Sequence, residues 1–183
     1  LLLAAFGSAP VSAANSEVQN LLINGGFESI NADQIADGWS QDYWQAGSDL
    51  GLTEFQVRTG KYAMYLSTLD SNDIRLVHKV FVKPNTVYQL TGWVKTNNIP
   101  DRNTGATLCV MGGGKQSQSI TGTADWQQVT MTFRTAPNQQ ELTVAARLGF
   151  YSNTNIGAAF FDDLSLIEIT DPTITGEILD EGS

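Results

Sequence analysis

From Leu21 onward, apolar and polar residues alternate in short runs, and Gly, Asn, Asp and Pro recur between the runs. A period of two is that of a half-buried strand and the breakers mark turns, so the pattern predicts an all-β sandwich. No stretch carries the longer period of an amphipathic helix. The predicted strands are 62–67, 74–82, 87–96, 107–111, 127–134, 142–150 and 159–169, with 21–23 opening the fold.

Strand parity also sorts side chains between two faces. In the strand from Val87, Tyr88, Leu90 and Val94 belong to the core, while Gln89, Thr91, Trp93 and Lys95 face outward. From Leu142, parity puts Leu142, Val144, Ala146, Leu148 and Phe150 inside and leaves Thr143, Arg147 and Tyr151 outside.

A length of 183 residues suits one domain with its own core. Residues 1–14 are apolar, uncharged and end in small residues, which reads as a signal-peptide remnant cleaved after Ala13 or Ala14 and predicts a secreted protein. Residues 15–169 form the predicted module, and the acidic stretch 170–183 reads as a linker or tail. No other apolar run reaches membrane-spanning length, so no membrane partner is expected.

Ten basic residues against nineteen acidic ones give a formal charge of −9, which would repel a nucleic-acid backbone. Cys109 is the only cysteine, so a disulfide framework is excluded, and it reads as a buried small hydrophobe.

Catalytic patterns are missing as well. His78 is the single histidine and sits in the apolar run IRLVHKVFV, so a Ser-His-acid triad has no natural place; a satisfied strand histidine is the expectation. No strand carries the spaced acids of a jelly-roll glucanase, and Asp162 and Asp163, being adjacent, point to opposite faces. GGGKQS at 112–117 lacks the rest of a phosphate loop and reads as a hairpin tip. No catalytic residue is assigned.

Five segments, in this order and spacing, carry a family resemblance: LLINGGFES at 21–29, VRTGKYAMYL at 57–66, KPNTVYQLTGWVKT at 83–96, DWQQVTMTFRT at 125–135 and FFDDLSL at 160–166. Together they resemble the carbohydrate-binding modules of families 4, 9, 16 and 22, which have a galactose-binding-like jelly roll. The resemblance implies a jelly-roll β-sandwich of two antiparallel sheets, a structural calcium ion near the chain ends, and a sugar site on one sheet or its loops. Its implied calcium ligands are the Gly26 carbonyl, the Glu28 carboxylate, the Arg58 and Lys61 carbonyls, and Asp162, with Asp163 as the alternative if the register slips by one. Hard cations take such mixed oxygen ligands.

Sugars offer apolar C–H faces ringed by hydroxyls, so their sites pair exposed aromatic rings with hydrogen-bonding side chains. The candidates are Trp39, Tyr43 and Trp44 in the polar stretch GWSQDYWQAG, Trp93 with Gln89 on one outward face, and Arg147 with Tyr151 on another. Trp126 reads as a packing residue. The function expected is non-catalytic binding of a polysaccharide or oligosaccharide by a monomer that targets a linked hydrolase or lyase. The alternative is an adhesive sandwich whose tryptophans anchor a protein partner.

Overall fold

The computed structural model describes residues 18–32 and 34–169, so the predicted leader at 1–14 and acidic tail at 170–183 lie outside the described residues. Nine strands run β1 Ser40–Tyr43, β2 Asp49–Thr53, β3 Ala63–Asn72, β4 Ile74–Phe81, β5 Val87–Ile99, β6 Ala106–Val110, β7 Gly122–Arg134, β8 Glu141–Leu148 and β9 Asn155–Glu168. They form two sheets, in the orders β1-β4-β8-β6 and β2-β3-β9-β5-β7. Every strand pair is antiparallel. Among the described residues no helix is long and apolar enough to cross a membrane.

The two sheets bury their inner faces against one another, as the sequence period requires. Leu76, Val80, Leu90, Val94, Leu142, Val144, Leu148 and Phe161 all lie in this core. Alternation along β5 follows the predicted parity throughout, with Gln89, Thr91, Trp93 and Lys95 on the outer side. Cys109 is buried, and burial pushes its thiol pKa up, so it is the inert small hydrophobe expected.

Two features differ from the sequence expectation. The segment 21–23 is not a strand: the Leu21 amide donates to the Leu166 carbonyl (2.8 Å) and a turn follows at once. That turn is pressed against β9, since a Cβ on Gly25 would lie 2.0 Å from the Leu164 carbonyl oxygen, so NGGF needs glycine there. Conversely, β1 and β2 were absent from the prediction because they are short, polar edge strands, ordered by pairing with β4 and β3.

His78 is the satisfied strand histidine expected, buried with Nδ1 2.6 Å from the Gly38 carbonyl oxygen. A carbonyl only accepts, so Nδ1 carries the proton. Burial lowers the ring's pKa below its ordinary 6.5, with the Gly38 bond opposing the shift. As pH falls through the unfolded-state value, the unfolded chain takes up a proton that the folded chain resists, and stability drops. The melting temperature should therefore fall between pH 7 and pH 5.5, and His78→Gln should flatten that slope in scanning calorimetry.

Candidate functional site

Of the seven proposed sugar-contacting residues, the structure gathers three and scatters four. Trp39 is a correction: it is only 3% exposed, with its ring edge-on to Phe27 at 5.2 Å and 5.1 Å from His78. Its indole N–H donates to the Asn24 carbonyl, and its amide closes a turn on Ala36, which tucks the ring inward. A ring so placed is core and offers nothing to a ligand.

Gln89 and Trp93 lie on the outer face of the five-stranded sheet. The Trp93 ring, however, is covered: the Arg58 guanidinium lies 3.7 Å above its centroid, held by an ion pair of 2.5 Å to Asp163. A cation stacked on an indole face occupies the surface that a pyranose would need.

Trp44, Arg147 and Tyr151 converge on Asp73, at one end of the four-stranded sheet. The Trp44 amide donates to the Asp73 carbonyl (2.9 Å) and the Tyr151 amide donates to Asp73 Oδ2 (3.0 Å). Tyr43 precedes Trp44 at the end of β1 but is in register with the core residue Ile74, so it leaves from the side opposite Asp42 and Arg75. All three aromatic side chains are open to solvent: Tyr43 is 49%, Trp44 70% and Tyr151 44% exposed.

Arg147 requires the second correction. Parity puts it on the outer face, as predicted, yet it is fully buried, because Phe150 and Tyr151 fold back over it with ring centroids 4.5 and 4.3 Å from the guanidinium carbon. Phe150, predicted to point inward, is thus half-buried in the lid over this arginine. Arg147 binds Asp73 through Nε (2.6 Å) and through Nη2. Burial opposes its charge, but the Asp73 carboxylate more than offsets this and raises the pKa above the ordinary arginine value. The guanidinium stays charged at any working pH.

Asp73 also holds Arg75 (2.9 Å), which in turn holds Asp42 (2.7 Å). Asp42, Arg75, Arg147 and Thr107 are direct cross-strand partners through β1, β4, β8 and β6. Cross-strand partners share a face, so this polar row runs the width of the outer face, roughly 14 Å at about 4.8 Å per strand. Thr107 Oγ1 and Gln116 Oε1 are buried without a protein hydrogen-bond partner among the described residues, and the Gln116 backbone bridges Cys109 on the same edge. Unsatisfied buried polar atoms are uncommon and mark a place where a ligand or solvent would be welcome.

The sequence reading missed Asp42, Asp73 and Arg75. One signal was available: in NDIRL, Asp73 and Arg75 fall on the face opposite Ile74 and Leu76, so an apolar strand carries paired charges on its other side.

Exposed rings beside charged hydrogen-bonders are the kind of chemistry that sugar sites use, and comparison with known proteins shows the family. A family model described as a carbohydrate binding domain, CBM_4_9, matches residues 19–155. The chain belongs to this family. A curated relative, Exochitinase 1 of Streptomyces olivaceoviridis, is 31% identical over 156 residues, covering 85% of this chain and 23% of the relative. The module thus spans about a quarter of that protein's length.

Solved structures share the fold. A family 61 module in complex with β-1,4-galactotriose superposes with a TM-score of 0.57 at 16% identity, over 82% of this chain and 99% of the other. A cyclase from Fischerella sp. TAU reaches 0.60 at 18% identity, over 86% of this chain and all of the other. One architecture therefore carries both binding and catalysis, and the site must decide between them.

Of the residues implied as calcium ligands, Glu28, Arg58, Lys61 and Asp162 are joined at one turn by hydrogen bonds from backbone amides to the two carboxylates. Glu28 accepts from the Lys61 and Tyr62 amides (3.0 Å each), while Asp162 Oδ2 accepts from the Arg58 and Thr59 amides (2.9 and 3.1 Å). Two carboxylates from opposite ends of the chain thus grip the single turn 58–62. Gly60, at φ +67°, is required there, because a Cβ would lie 2.2 Å from Glu28 Oε1. Asp162 is fully buried, and burial raises its pKa against the amide bonds that lower it.

The donor set suits a hard cation only if backbone oxygens complete it. Among the described residues no group of three or more His, Cys, Asp or Glu side chains could hold a metal. Glu28 and Asp162 would supply carboxylates to such a set, and the Gly26, Arg58 and Lys61 carbonyls would have to supply the rest.

Proposed function

We propose that this module binds a neutral polysaccharide on the outer face of the four-stranded sheet without acting on it. Trp44 and Tyr151 supply stacking rings, and Asp42 and Arg75, at the accessible end of the polar row, supply hydrogen bonds. The observation that carries this is the convergence of two exposed aromatic residues, Trp44 and Tyr151, on Asp73 and its arginine pairs. Aromatic rings cover the C–H face of a pyranose, and groups already fixed by ion pairs lose little freedom when they bind its hydroxyls.

The same ion pairs favour binding over catalysis. Asp73 is locked between Arg75 and Arg147 and Asp42 is paired to Arg75, whereas a glycosidase needs two carboxyl groups free to act on opposite sides of the scissile bond.

The module's share of an exochitinase supports a targeting role, in which a linked hydrolase or lyase is held near insoluble substrate and works at a raised effective concentration. An exported protein fits that role. Affinity electrophoresis against chitin, xylan, β-glucan, mannan, cellulose and alginate tests the reading. Retardation by at least one neutral glycan is expected, whereas no retardation by any, with a protein recovered by pull-down, would favour the adhesive alternative.

We further infer that calcium sits with Gly26, Glu28, Arg58, Lys61 and Asp162, where it would add a positive charge beside the buried Asp162. A ligand held only by the folded state stabilises it, by about 2.7 kcal/mol at a hundredfold excess over Kd. EDTA should lower the melting temperature of the purified module and added calcium restore it. If neither moves the transition and elemental analysis finds no metal, the carboxylate-to-amide bonds alone form the clip.

A further inference from the structure

We propose that the module carries a second glycan-binding surface on the opposite sheet, where Phe55, Tyr65 and Phe160 form a platform for a neutral polysaccharide chain. The inference rests on the reading that the module binds glycans, but uses none of the residues assigned above.

The platform follows from register. Gly51 of β2 pairs with Tyr65 of β3, Tyr65 pairs with Phe160 of β9, and Phe160 pairs with Lys95 of β5. These four therefore lie in one row across the outer face of the five-stranded sheet. Gly51 decides the pose of the tyrosine: a Cβ there would lie 3.3 Å from Tyr65 Cε1 and 3.6 Å from its hydroxyl. The phenol ring thus leans over β2 in the space that a side chain at position 51 would take. A leaning ring presents its face to a ligand, where an upright one would present only its edge.

The hydroxyl is anchored by Asp49. Burial and the Asp49 bond push the phenol pKa up to about 12, so it stays a neutral hydrogen-bonder at any working pH. Phe55, in the loop joining β2 to β3, is 94% exposed, a position that costs solubility unless it serves contact.

Space and polarity complete the site. Leu52, Thr53, Glu54, Phe55, Tyr65 and Phe160 line a hollow of about 640 Å³. On the far side of Phe160, Gln56, Lys95, Asn97 and Asp125 line another of about 310 Å³. Phe160 belongs to both, so an aromatic floor continues into a rim of amide, ammonium and carboxylate groups. That mixture suits hydroxyls over a C–H face.

Charge selects the ligand class. Lys95 is engaged by Asp125 at 2.9 Å and Lys61 by Glu54 at 3.5 Å, while Asp49 adds a further carboxylate. With its cations paired and a −9 protein behind it, the face favours a neutral chain over an anionic one such as alginate. Two sites on opposite faces would let one module bridge two chains, and the second contact would raise retention on an insoluble matrix without raising the affinity of either site.

Calorimetric titration with chitohexaose, cellohexaose and xylohexaose tests the proposal. For whichever sugar binds, two sites per module are expected in the wild type, one in Phe55→Ala/Tyr65→Ala, one in Trp44→Ala/Tyr151→Ala, and none when the four changes are combined. Phe55→Ala alone touches only an exposed loop and should weaken the second site about tenfold with an unchanged melting temperature. The second surface is overturned if the Phe55 and Tyr65 changes leave stoichiometry and affinity unaltered while the Trp44 and Tyr151 changes abolish binding, a result that leaves the first site standing. Failure of these three sugars, and of mannohexaose and laminarihexaose, to bind the wild type would overturn both.

Discussion

Asp73→Ala is expected to cost roughly 3–5 kcal/mol of folding stability, a large share of what a single domain has to spare. Asp73 and Arg147 are both fully buried, and removing the acid leaves the Arg147 guanidinium charged, desolvated and without its carboxylate. The loss extends outward, because Arg75 and the Tyr151 amide use the same carboxylate. Urea denaturation should show the drop as a lower midpoint at unchanged slope. Replacing both partners, Asp73→Leu with Arg147→Met, should lose less than the sum of the single changes, since no buried charge then remains. Additive losses in that cycle would show that the two residues do not act as a pair.

Trp44→Ala and Tyr151→Ala are expected to weaken binding to the retarding polysaccharide about tenfold each, corresponding to about 1.4 kcal/mol apiece. Trp44 is open to solvent, so its change should move folding stability by no more than about 0.5 kcal/mol, whereas Tyr151→Ala also uncovers the buried Arg147 and should lower stability further. At Trp44 that split between binding and stability is what distinguishes a ligand platform from packing. Unchanged retardation in the double variant would remove the four-stranded face from consideration. Trp39→Ala would behave in the reverse manner, lowering stability through a cavity among Phe27, His78 and their neighbours.

The site was only partly legible. The polar stretch from Gly38 to Gly47 promised exposed rings, and it delivers Tyr43 and Trp44, yet Trp39 in the same stretch is core. Nothing local separates the three rings. The turn from Ala36 folds Trp39 under, while β1 pairing with β4 carries Trp44 to Asp73. Trp93 shows the same limit from the other side, since its outward direction followed from parity but its cover comes from Arg58, far away in the chain.

What the sequence determined by itself was the all-β class, most strands and their inner and outer faces, because the pleat imposes a period of two on every strand wherever it ends up. It also carried the family, through motifs spread along nearly the whole module. Tertiary structure alone decided the edge strands β1 and β2, the burial of Arg147, and the gathering of Trp44 and Tyr151 at Asp73. The physical reason is that parity fixes only which side of a sheet a residue leaves from. Whether it then meets water, an arginine or a folded-back tyrosine depends on segments that sequence distance keeps apart and strand pairing brings together.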